Sequence, residues 1–395
     1  MPDKLRIVVT GLAATYPFGG VFWDYFQYVL GLRKLGHDVL YLEDTHKPCY
    51  DPVGKTFVNS GRKNAHILSK FLDAISPELS EKWYYRDAAG ETYGLPGDKV
   101  MNYSKSADIF LNISASCWMR DEYFMAQKVI LIDTDPLYTQ SSILHYRESG
   151  IDDDEREQKE MIKRHDYHFT FGENIGREDC LVPDDAFKWI PTRQPVVMDY
   201  FRYKCVPLSE RRRVFTTVAS WEPKEEGPVI HGKKYTGKST EFLKYLHTPK
   251  NKPIAFEVAL SGPAPFDTMK NIGWNIVDGY SVSKDPETYR EYLAHSFAEW
   301  SVAKNAYVES RSGWFSCRSA CYLALGVPVI VQDTGFQRVI PGGKGVLPFS
   351  NTRECAEAID DVLRSPEIHS KAAREIAEEY FESDRVLTAL IEIVS

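Results

Sequence analysis

The amino-acid sequence predicts an α/β protein with two domains, each built around a parallel sheet. Three observations favour this fold class. The chain has 395 residues, a length that suits two domains of ordinary size. A strand, a helix and a second strand follow one another near the start, and a second series of strands and helices begins at Val214. Such alternation of strands and helices is typical of Rossmann-like sheets.

The first strand, helix and strand form a predicted βαβ unit. Leu5 to Val9 is a short apolar run, a helix is predicted from Val21 to Leu35, and Val39 to Leu42 is the next strand. The loop between the first strand and the helix carries Gly19 and Gly20. It lacks the spacing G-x-G-x-x-G, which argues against an enzyme that binds NAD at this point.

The remaining strands divide the chain into two halves. They are predicted at Ala107 to Ser114, Lys128 to Ile132, Tyr167 to Phe171, Val214 to Ala219, Ile254 to Leu260, Asn275 to Val277 and Ala306 to Val308. Charge and turn residues from Val206 to Arg213 indicate the linker between the halves. We therefore predict a Rossmann-like domain over 1–205, a second over 206–380 and a C-terminal helix over 381–395.

The most informative stretch runs from Ser310 to Thr334. Gly313 opens a turn, and Ser316 is a predicted N-cap for a short helix. Gly326 stands where that helix needs a left-handed residue to end. Val327 to Val331 is a β-branched run typical of a buried parallel strand. Polar residues then follow at the carboxyl end of the strand, where open α/β sheets bind ligands.

The helix in this stretch is a predicted anion site. A helix N-terminus behind a glycine turn favours negatively charged groups, and Arg311 and Arg318 flank this one. We interpret the stretch as the place where a phosphorylated ligand meets a polar strand end. The alternative is an ordinary helix–strand unit with a pair of surface arginines.

These residues resemble the donor-site signature of GT-B glycosyltransferases, including the family 1 and family 4 types. Gly313-Trp314-Phe315 is similar to the turn beneath the donor diphosphate, and Gly326 to Ile330 matches the helix-to-strand join. Asp333-Thr334-Gly335 resembles the loop that meets the donor sugar. One position departs from the family pattern, because Cys321 stands where members carry a glutamate that holds the nucleotide ribose.

The resemblance implies two Rossmann-like domains that face each other across a cleft, with the acceptor on the first and the donor on the second. It implies transfer of a sugar from a nucleotide-diphosphate sugar, used as a co-substrate, to an unidentified small-molecule or glycan acceptor. No metal or other cofactor is expected, and the C-terminal helix is expected to cross back to the first domain. The predicted donor-binding residues are Gly19, Gly20, Lys238, Gly313, Trp314, Phe315, Arg318, Asp333, Thr334 and Gly335.

The sequence leaves open whether the transfer inverts or retains the configuration of the sugar. If it inverts, a base must deprotonate the acceptor, and two carboxylates are candidates. If it retains, the resemblance implies no particular base. Asp24 is the first candidate, in the predicted first turn of the first helix. Its alternative role is that of an acid stabilised by the helix dipole. Asp135 is the second candidate, and it belongs to the sequence Asp133-Thr134-Asp135. A D-x-D can also hold a divalent metal together with a nucleotide diphosphate, so that alternative stays open.

A competing motif lies in the second half. Gly232 to Ser239 fits the pattern G-x-x-x-x-G-K-[ST] of P-loop NTPases, although the strand before it is short. The alternative functions are therefore an NTPase or kinase that uses this loop, and a non-catalytic sugar- or nucleotide-binding protein on the same fold. In the transferase hypothesis, Lys238 instead supplies a cation to the donor diphosphate, and Lys304 is a further candidate.

Composition narrows the class of protein. The formal net charge of -8 argues against an extended nucleic-acid-binding face, so a nucleic-acid partner is not expected. The seven cysteines include no C-x-x-C pair, which favours a reducing compartment. No apolar run has the length of a signal peptide or a membrane span. The sequence therefore predicts a cytoplasmic protein.

Overall fold

Two large sheets organise the protein, one in each half of the chain. The structure, a computed structural model, describes residues 4–148, 160–221 and 227–395. An eight-stranded sheet occupies the first half, and a six-stranded sheet occupies the second. Helices pack against both sheets, so the predicted α/β class is confirmed.

The first sheet has the strand order β10-β9-β8-β7-β1-β2-β5-β6. Its strands are β1 Arg6–Thr10, β2 Asp38–Asp44, β5 Trp83–Arg86, β6 Thr92–Gly94, β7 Ile109–Ile113, β8 Lys128–Asp133, β9 Tyr167–Thr170 and β10 Trp189–Pro191. Neighbouring strands run parallel except β5 and β6. The strand order reverses between β1 and β7. Such a switch point leaves a crevice at the carboxyl ends of the two strands.

The second sheet is parallel throughout and has the strand order β15-β14-β11-β16-β17-β18. Its strands are β11 Val214–Ser220, β14 Ala255–Ser261, β15 Trp274–Asp278, β16 Ala298–Ser301, β17 Val329–Gln332 and β18 Val346–Phe349. Here the order reverses between β11 and β16, which creates a second switch point. Two antiparallel hairpins stand apart from the sheets: β3 Cys49–Asp51 with β4 Thr56–Val58, and β12 Val229–Ile230 with β13 Lys233–Lys234.

Helices join most of the strands. In the first half they are α1 Gly19–Lys34, α2 Arg62–Ile75, α3 Gly97–Lys105, α4 Tyr138–Glu148 and α5 Asp199–Arg202. In the second half they are α6 Lys238–Lys244, α7 Phe266–Ile272, α8 Gly279–Ser283, α9 Pro286–Ala294, α10 Asn305–Ser310, α11 Cys317–Ala324, α12 Thr352–Arg364, α13 Pro366–Ile376 and α14 Ser383–Val394. Within the described ranges, none of these helices is long and apolar enough to cross a membrane.

The final helix, α14, packs on α1 of the first half. Leu387 and Leu390 are buried in the same core as α1. Burial of each of these side chains stabilises the folded state by about 2 kcal/mol. Lys34 at the end of α1 pairs with Glu382 at 3.2 Å and Asp384 at 3.3 Å. Exposed pairs of this kind contribute about 0–1 kcal/mol, so apolar contact dominates this packing.

The first helix begins earlier than the sequence predicted. It starts at Gly19, so the two glycines form its first turn instead of the loop before it. Asp24 consequently falls in the second turn, where the helix dipole no longer stabilises an acid. A β-carbon on Gly19 would meet the Asp285 carbonyl oxygen at 2.1 Å. The two halves therefore approach each other closely at this point, and the glycine permits that contact.

One predicted strand is a helix, and several strands were not predicted, among them the central strand β16, β18 at an edge of the second sheet, and β5, β6 and β10 towards the edges of the first. Ala306 to Val308 belongs to α10, whose first residue, Asn305, donates to Glu241 at 2.6 Å and accepts from the Thr236 amide at 3.2 Å. The central strand β16 lies just before it. Its sequence carries Glu299 in the middle and lacks a β-branched run, which is why its pattern did not indicate a buried strand.

Candidate active site

Both switch points open onto one cavity of about 840 Å³ between the two halves of the chain. The first half contributes Ile113 and Ser114 from the end of β7, and the second contributes Val218 to Ser220 from the end of β11. Among the residues predicted to form the site, the cavity brings together Gly20, Asp24, Asp135, Lys238, Trp314 and Arg318. The arrangement can hold a ligand that touches both halves at once.

Asp24 lies on α1 in the wall of this cavity. Burial raises its pKa to about 7, Arg318 acts in the opposite direction, and the charge of Asp135 adds to the rise. In the part of the chain that the structure describes, no side chain donates a hydrogen bond to this carboxylate. A carboxylate that titrates near neutral pH and faces a cavity has the properties of a general base.

Asp135 is held by residues of the second half. Its carboxylate accepts from Lys304 at 2.9 Å and from the Tyr307 hydroxyl. Desolvation in the cleft opposes ionisation, but Lys304, Tyr307 and Lys238 together lower the pKa of Asp135 below its usual value. A carboxylate with a lowered pKa that already accepts two hydrogen bonds is a weak base. The geometry therefore favours Asp24 over Asp135 for proton transfer.

Asp133, the other acid of the D-x-D sequence, is a structural residue. It is buried and accepts from Thr139 at 2.7 Å, Gln140 at 2.9 Å and Thr170 at 2.7 Å. Burial raises the pKa of Asp133, and these three donors oppose the rise. Across residues 4–148, 160–221 and 227–395, no group of three or more metal-ligating side chains is assembled.

Arg318 lines the cavity, and its guanidinium is fixed by hydrogen bonds to other residues of the second half. Its guanidinium donates to Glu299 at 2.7 Å, to the Val218 carbonyl at 2.7 Å and to the Ser301 hydroxyl. Glu299 is fully buried, and its second carboxylate oxygen has no partner among the described atoms. The arginine is thus fixed in one orientation by a buried charge, with part of its side chain facing the cavity.

The N-terminus of α11 faces the cavity. Ser316 is the N-cap, as predicted, although its hydroxyl makes no capping hydrogen bond. Ser316 and Cys317 line the cavity beside Arg318. The first amides of a helix have no partner within the helix and carry partial positive charge. This end of α11, with Arg318, therefore suits a phosphate group.

The glycine turn before α11 differs from its predicted role. Gly313 has a left-handed φ of 80°, as a turn requires, but its amide donates to the Thr334 carbonyl at 2.9 Å. The Trp314 amide donates to the Ser312 hydroxyl at 3.3 Å, and its indole donates to the Thr134 carbonyl at 3.1 Å. These two amides are occupied within the protein, so they are not available to a ligand.

Four further predicted donor residues lie outside the cavity. Phe315 is buried against Phe336, with ring centroids 5.1 Å apart, and serves the core. Asp333 accepts from the Gly335 amide at 2.9 Å, and Thr334 donates to the Trp314 carbonyl at 2.6 Å. The Gly335 carbonyl accepts from Asn174 of the first half at 3.0 Å. This loop therefore joins the two halves instead of lining the cavity.

Gly20 lines the cavity, whereas its neighbour Gly19 packs against the backbone of Asp285. The Gly20 amide donates to the Ser283 hydroxyl at 3.1 Å. Trp23 on the same helix donates to the Pro286 carbonyl at 2.9 Å. The start of α1 thus forms a contact between the halves, and the glycines allow it by lacking side chains.

Lys238 lines the cavity at the start of α6. The residues before it do not form a P-loop. A P-loop follows directly from a parallel strand, but here β12 and β13 form an antiparallel hairpin with its turn at His231 and Gly232. The P-loop hypothesis is therefore wrong in its structural context, while the position of Lys238 agrees with the cation role considered for it.

The structure also reveals residues that the sequence did not single out. Glu299 sits beneath Arg318, and a row of rings lines the first-half wall of the cavity: Tyr16, Phe18, Tyr50 and Phe57. The aromatic content of 13% was the signal for these rings, but it does not separate the core from a site. Cys321, at the family's glutamate position, is buried in the core.

Similarity to known proteins is found among solved structures. No protein-family model matches the chain, and no curated protein sequence matches it. An alpha-glucosyltransferase, solved in complex with UDP and a 13-mer DNA containing a HMU base, is similar with a TM-score of 0.64 and 12% identity. That similarity covers 99% of this chain and 100% of the other.

Two further structures are similar over nearly the whole length. AviGT4, a glycosyltransferase involved in avilamycin A biosynthesis, has a TM-score of 0.53 and 12% identity, covering 98% of this chain and 96% of that one. A sucrose-phosphate synthase from Thermosynechococcus elongatus has a TM-score of 0.51 and 12% identity, with 98% of each chain covered. At these identities the likeness concerns the fold. It confirms the predicted GT-B fold, with its two Rossmann-like domains.

Proposed function

We propose that this protein is a nucleotide-sugar glycosyltransferase that binds its donor at α11 and activates its acceptor with Asp24. One observation carries the proposal: both switch points open onto the same cavity, with an anion site on one side and a carboxylate of pKa about 7 on the other. Solved glycosyltransferases of the same fold, several of them in complex with UDP, support it.

The donor diphosphate is placed against the second half. The amides at the start of α11, the Arg318 guanidinium and Lys238 supply positive charge on that wall. In transfer, the bond between the sugar and the diphosphate breaks and leaves a negative charge on the diphosphate oxygen. Fixed positive groups in a cleft stabilise such a developing charge, and this is the largest contribution we assign to the site.

Asp24 completes an inverting transfer from the first half. The acceptor hydroxyl attacks the anomeric carbon and gives its proton to the Asp24 carboxylate. A pKa of about 7 leaves a substantial fraction of the base ionised at neutral pH and makes it basic enough to accept the proton. The two walls hold donor and acceptor in one cavity, which favours reaction by proximity.

Lys238→Ala is expected to weaken binding of the donor nucleotide by about 10-fold to 100-fold, because hydrogen bonds to charged groups contribute roughly 1.5–3 kcal/mol. The measurement is the dissociation constant for UDP and UDP-glucose by isothermal titration. Lys233→Ala is the matched control, since Lys233 belongs to the same segment and pairs with Glu309 at its surface. Equal affinities for Lys238→Ala and wild type would remove Lys238 from the donor site.

Chelation of divalent metals is expected to leave transfer intact. Asp133 is bonded to three side chains, and Asp135 is bonded to Lys304 and Tyr307, so neither carboxylate is placed to take a metal ion. The measurement is the initial rate before and after treatment with EDTA. Activity that is lost on chelation and restored by magnesium or manganese would contradict this expectation.

A nucleic acid is a second candidate for the acceptor. Solved alpha-glucosyltransferases of this fold hold a 13-mer DNA. In this chain the exposed cations Lys47, Lys55 and Arg62 lie, along the sequence, in or near the hairpin that contributes Tyr50 and Phe57 to the cavity. DNA binding would be measured by fluorescence anisotropy at several salt concentrations. Affinity that falls steeply with salt would favour a phosphate backbone as part of the acceptor.

The proposed activity is tested by incubation of the purified protein with nucleotide sugars and a mixed panel of acceptors. Released nucleoside diphosphate and the glycosylated product are both quantified, the second by mass spectrometry. A product whose mass rises by one sugar supports the transferase. Tight donor binding without product from any acceptor would favour the non-catalytic alternative.

A further inference from the structure

We propose that the row of aromatic rings on the first-half wall is an acceptor subsite for a planar aromatic ring that carries the reacting hydroxyl. The row consists of Tyr16, Phe18, Tyr50 and Phe57, and all four line the cavity that contains Asp24. This inference rests on the proposed function and specifies the chemical class of its acceptor.

The four rings form a continuous chain of contacts. Tyr16 and Phe57 meet edge to face with centroids 6.1 Å apart, and Tyr50 and Phe57 meet at 5.4 Å. Phe18 lies 5.7 Å from Tyr50. Phe18 also contacts Tyr280 of the second half, with centroids 6.2 Å apart, so the row extends from the hairpin to a residue of the second half. A surface of this kind offers several ring faces to one flat ligand.

Buried polar residues connect the two segments that carry the row. The side-chain amide of Asn64 donates to the Ala14 carbonyl at 2.8 Å and to the Tyr50 carbonyl at 2.9 Å. It thereby joins the loop that carries Tyr16 and Phe18 to the hairpin that carries Tyr50 and Phe57. The buried Glu43 accepts from the Ala14 amide at 2.8 Å and also from the Thr15 amide. A prepared surface loses little conformational entropy when a ligand binds.

One ring of the row is exposed and open to a ligand. Phe57 is 56% exposed and contacts Tyr16 and Tyr50, which are themselves only partly buried. Single exposed apolar residues are common on protein surfaces, but here the exposed ring belongs to a cluster inside a cavity. Flat aromatic ligands bind such clusters by stacking, with their polar groups left to the residues nearby.

The position of the row places a stacked acceptor ring in the cavity where sugar transfer is proposed to occur. A planar ring stacked on this wall shares the cavity with Asp24 and the α11 end. Its hydroxyl oxygen forms the new bond to the anomeric carbon while the bond to the diphosphate breaks. The electron pair of that bond leaves on the diphosphate, and the hydroxyl proton passes to Asp24. The transfer therefore needs no oxidant and no metal ion.

The test uses 4-methylumbelliferone, a planar phenol, as the probe and follows its binding by fluorescence. Phe57→Ala and Tyr50→Leu are expected to weaken binding about tenfold each, because each removes one ring from the surface. Tyr50→Phe retains the ring and is expected to bind like wild type. Tyr203→Ala is the matched control, since Tyr203 is 83% exposed and lies away from the cavity. Circular dichroism confirms that each variant is folded.

The outcomes separate this inference from the proposed function, because UDP binding is measured on the same samples. Binding of UDP without binding of 4-methylumbelliferone would overturn the ring subsite and leave the transferase standing. So would equal binding of the probe by Phe57→Ala, Tyr50→Leu and wild type. A preference for the saturated probe methyl β-glucoside, lost in the same variants, would overturn the planar class. Ring-dependent binding of the phenol without binding of any nucleotide would support the subsite and overturn the transferase.

Discussion

Asp24→Asn is expected to slow sugar transfer by about 10²-fold to 10⁴-fold while the donor still binds, because the substitution removes the base and keeps the shape. The carboxylate lies in the cavity wall and is the one whose pKa the surroundings raise to about 7. The measurement is kcat/KM for product formation, together with UDP affinity and thermal unfolding of the variant.

The pH dependence of wild type gives the same residue a second test. A base acts in its ionised form, so kcat/KM is expected to rise as the pH passes through about 7 and to level off above it. Arg318 favours the ionised form, whereas burial and Asp135 oppose it. In the Asp24→Asn variant this rise is expected to disappear.

Asp135→Asn is the matched control for Asp24. Asp135 is the second acid of the cavity, and its pKa lies below the usual value because of Lys304, Tyr307 and Lys238. Its removal is expected to cost less activity and to keep the rise in kcat/KM but move it to lower pH, because the charge of Asp135 contributes to the raised pKa of Asp24. A full loss of transfer in Asp135→Asn, with an active Asp24→Asn variant, would assign the base to Asp135.

Arg318→Ala is expected to abolish donor binding and to destabilise the fold by about 3–5 kcal/mol. The loss of stability follows because the substitution leaves Glu299 as a buried charge without its partner at 2.7 Å. Thermal unfolding measures the loss of stability, and the UDP affinity of the protein that remains folded measures the loss of donor binding. An Arg318→Ala variant with the stability of wild type would contradict the account of the buried pair.

A double substitution separates the two roles of Arg318. Replacement of both Arg318 and Glu299 by leucine removes the charge pair together, so no buried carboxylate is left alone. This variant is expected to regain most of the stability lost in Arg318→Ala and still to lack donor binding. Donor binding at the wild-type level in the double variant would exclude Arg318 from the diphosphate site.

The fold was predictable because its signals are local. Val327 to Val331 is a β-branched run, and β17, Val329–Gln332, overlaps it and extends one residue further. Gly326 ends α11 with a left-handed φ of 70°, and Asp285 caps α9 by accepting from the Thr288 amide at 2.7 Å. Each of these features depends on a few neighbouring residues, so the amino-acid sequence alone identifies it.

Much of the site was not predictable because it depends on contacts between distant residues. The sequence around Glu299 does not indicate that this acid pairs with Arg318 in the folded protein. The sequence pattern predicts that the Gly313 amide is available to a ligand, but in the structure this amide donates to the Thr334 carbonyl. Phe315 follows the family turn yet packs in the core, and Asn174 occupies the loop at Gly335. The resemblance located the region, whereas packing decided which of its residues face the cavity.

The most direct test of the central claim is a thermal-shift panel of the purified protein with UDP, GDP, ADP, their sugar conjugates and ATP. A ligand present at about 100 times its dissociation constant stabilises the folded state by roughly 2.7 kcal/mol. We expect one nucleoside diphosphate and its sugar to raise the melting temperature, with no effect of ATP and a reduced effect in Lys238→Ala. A shift with ATP and magnesium alone, or with none of the nucleotides, would contradict a nucleotide-sugar glycosyltransferase.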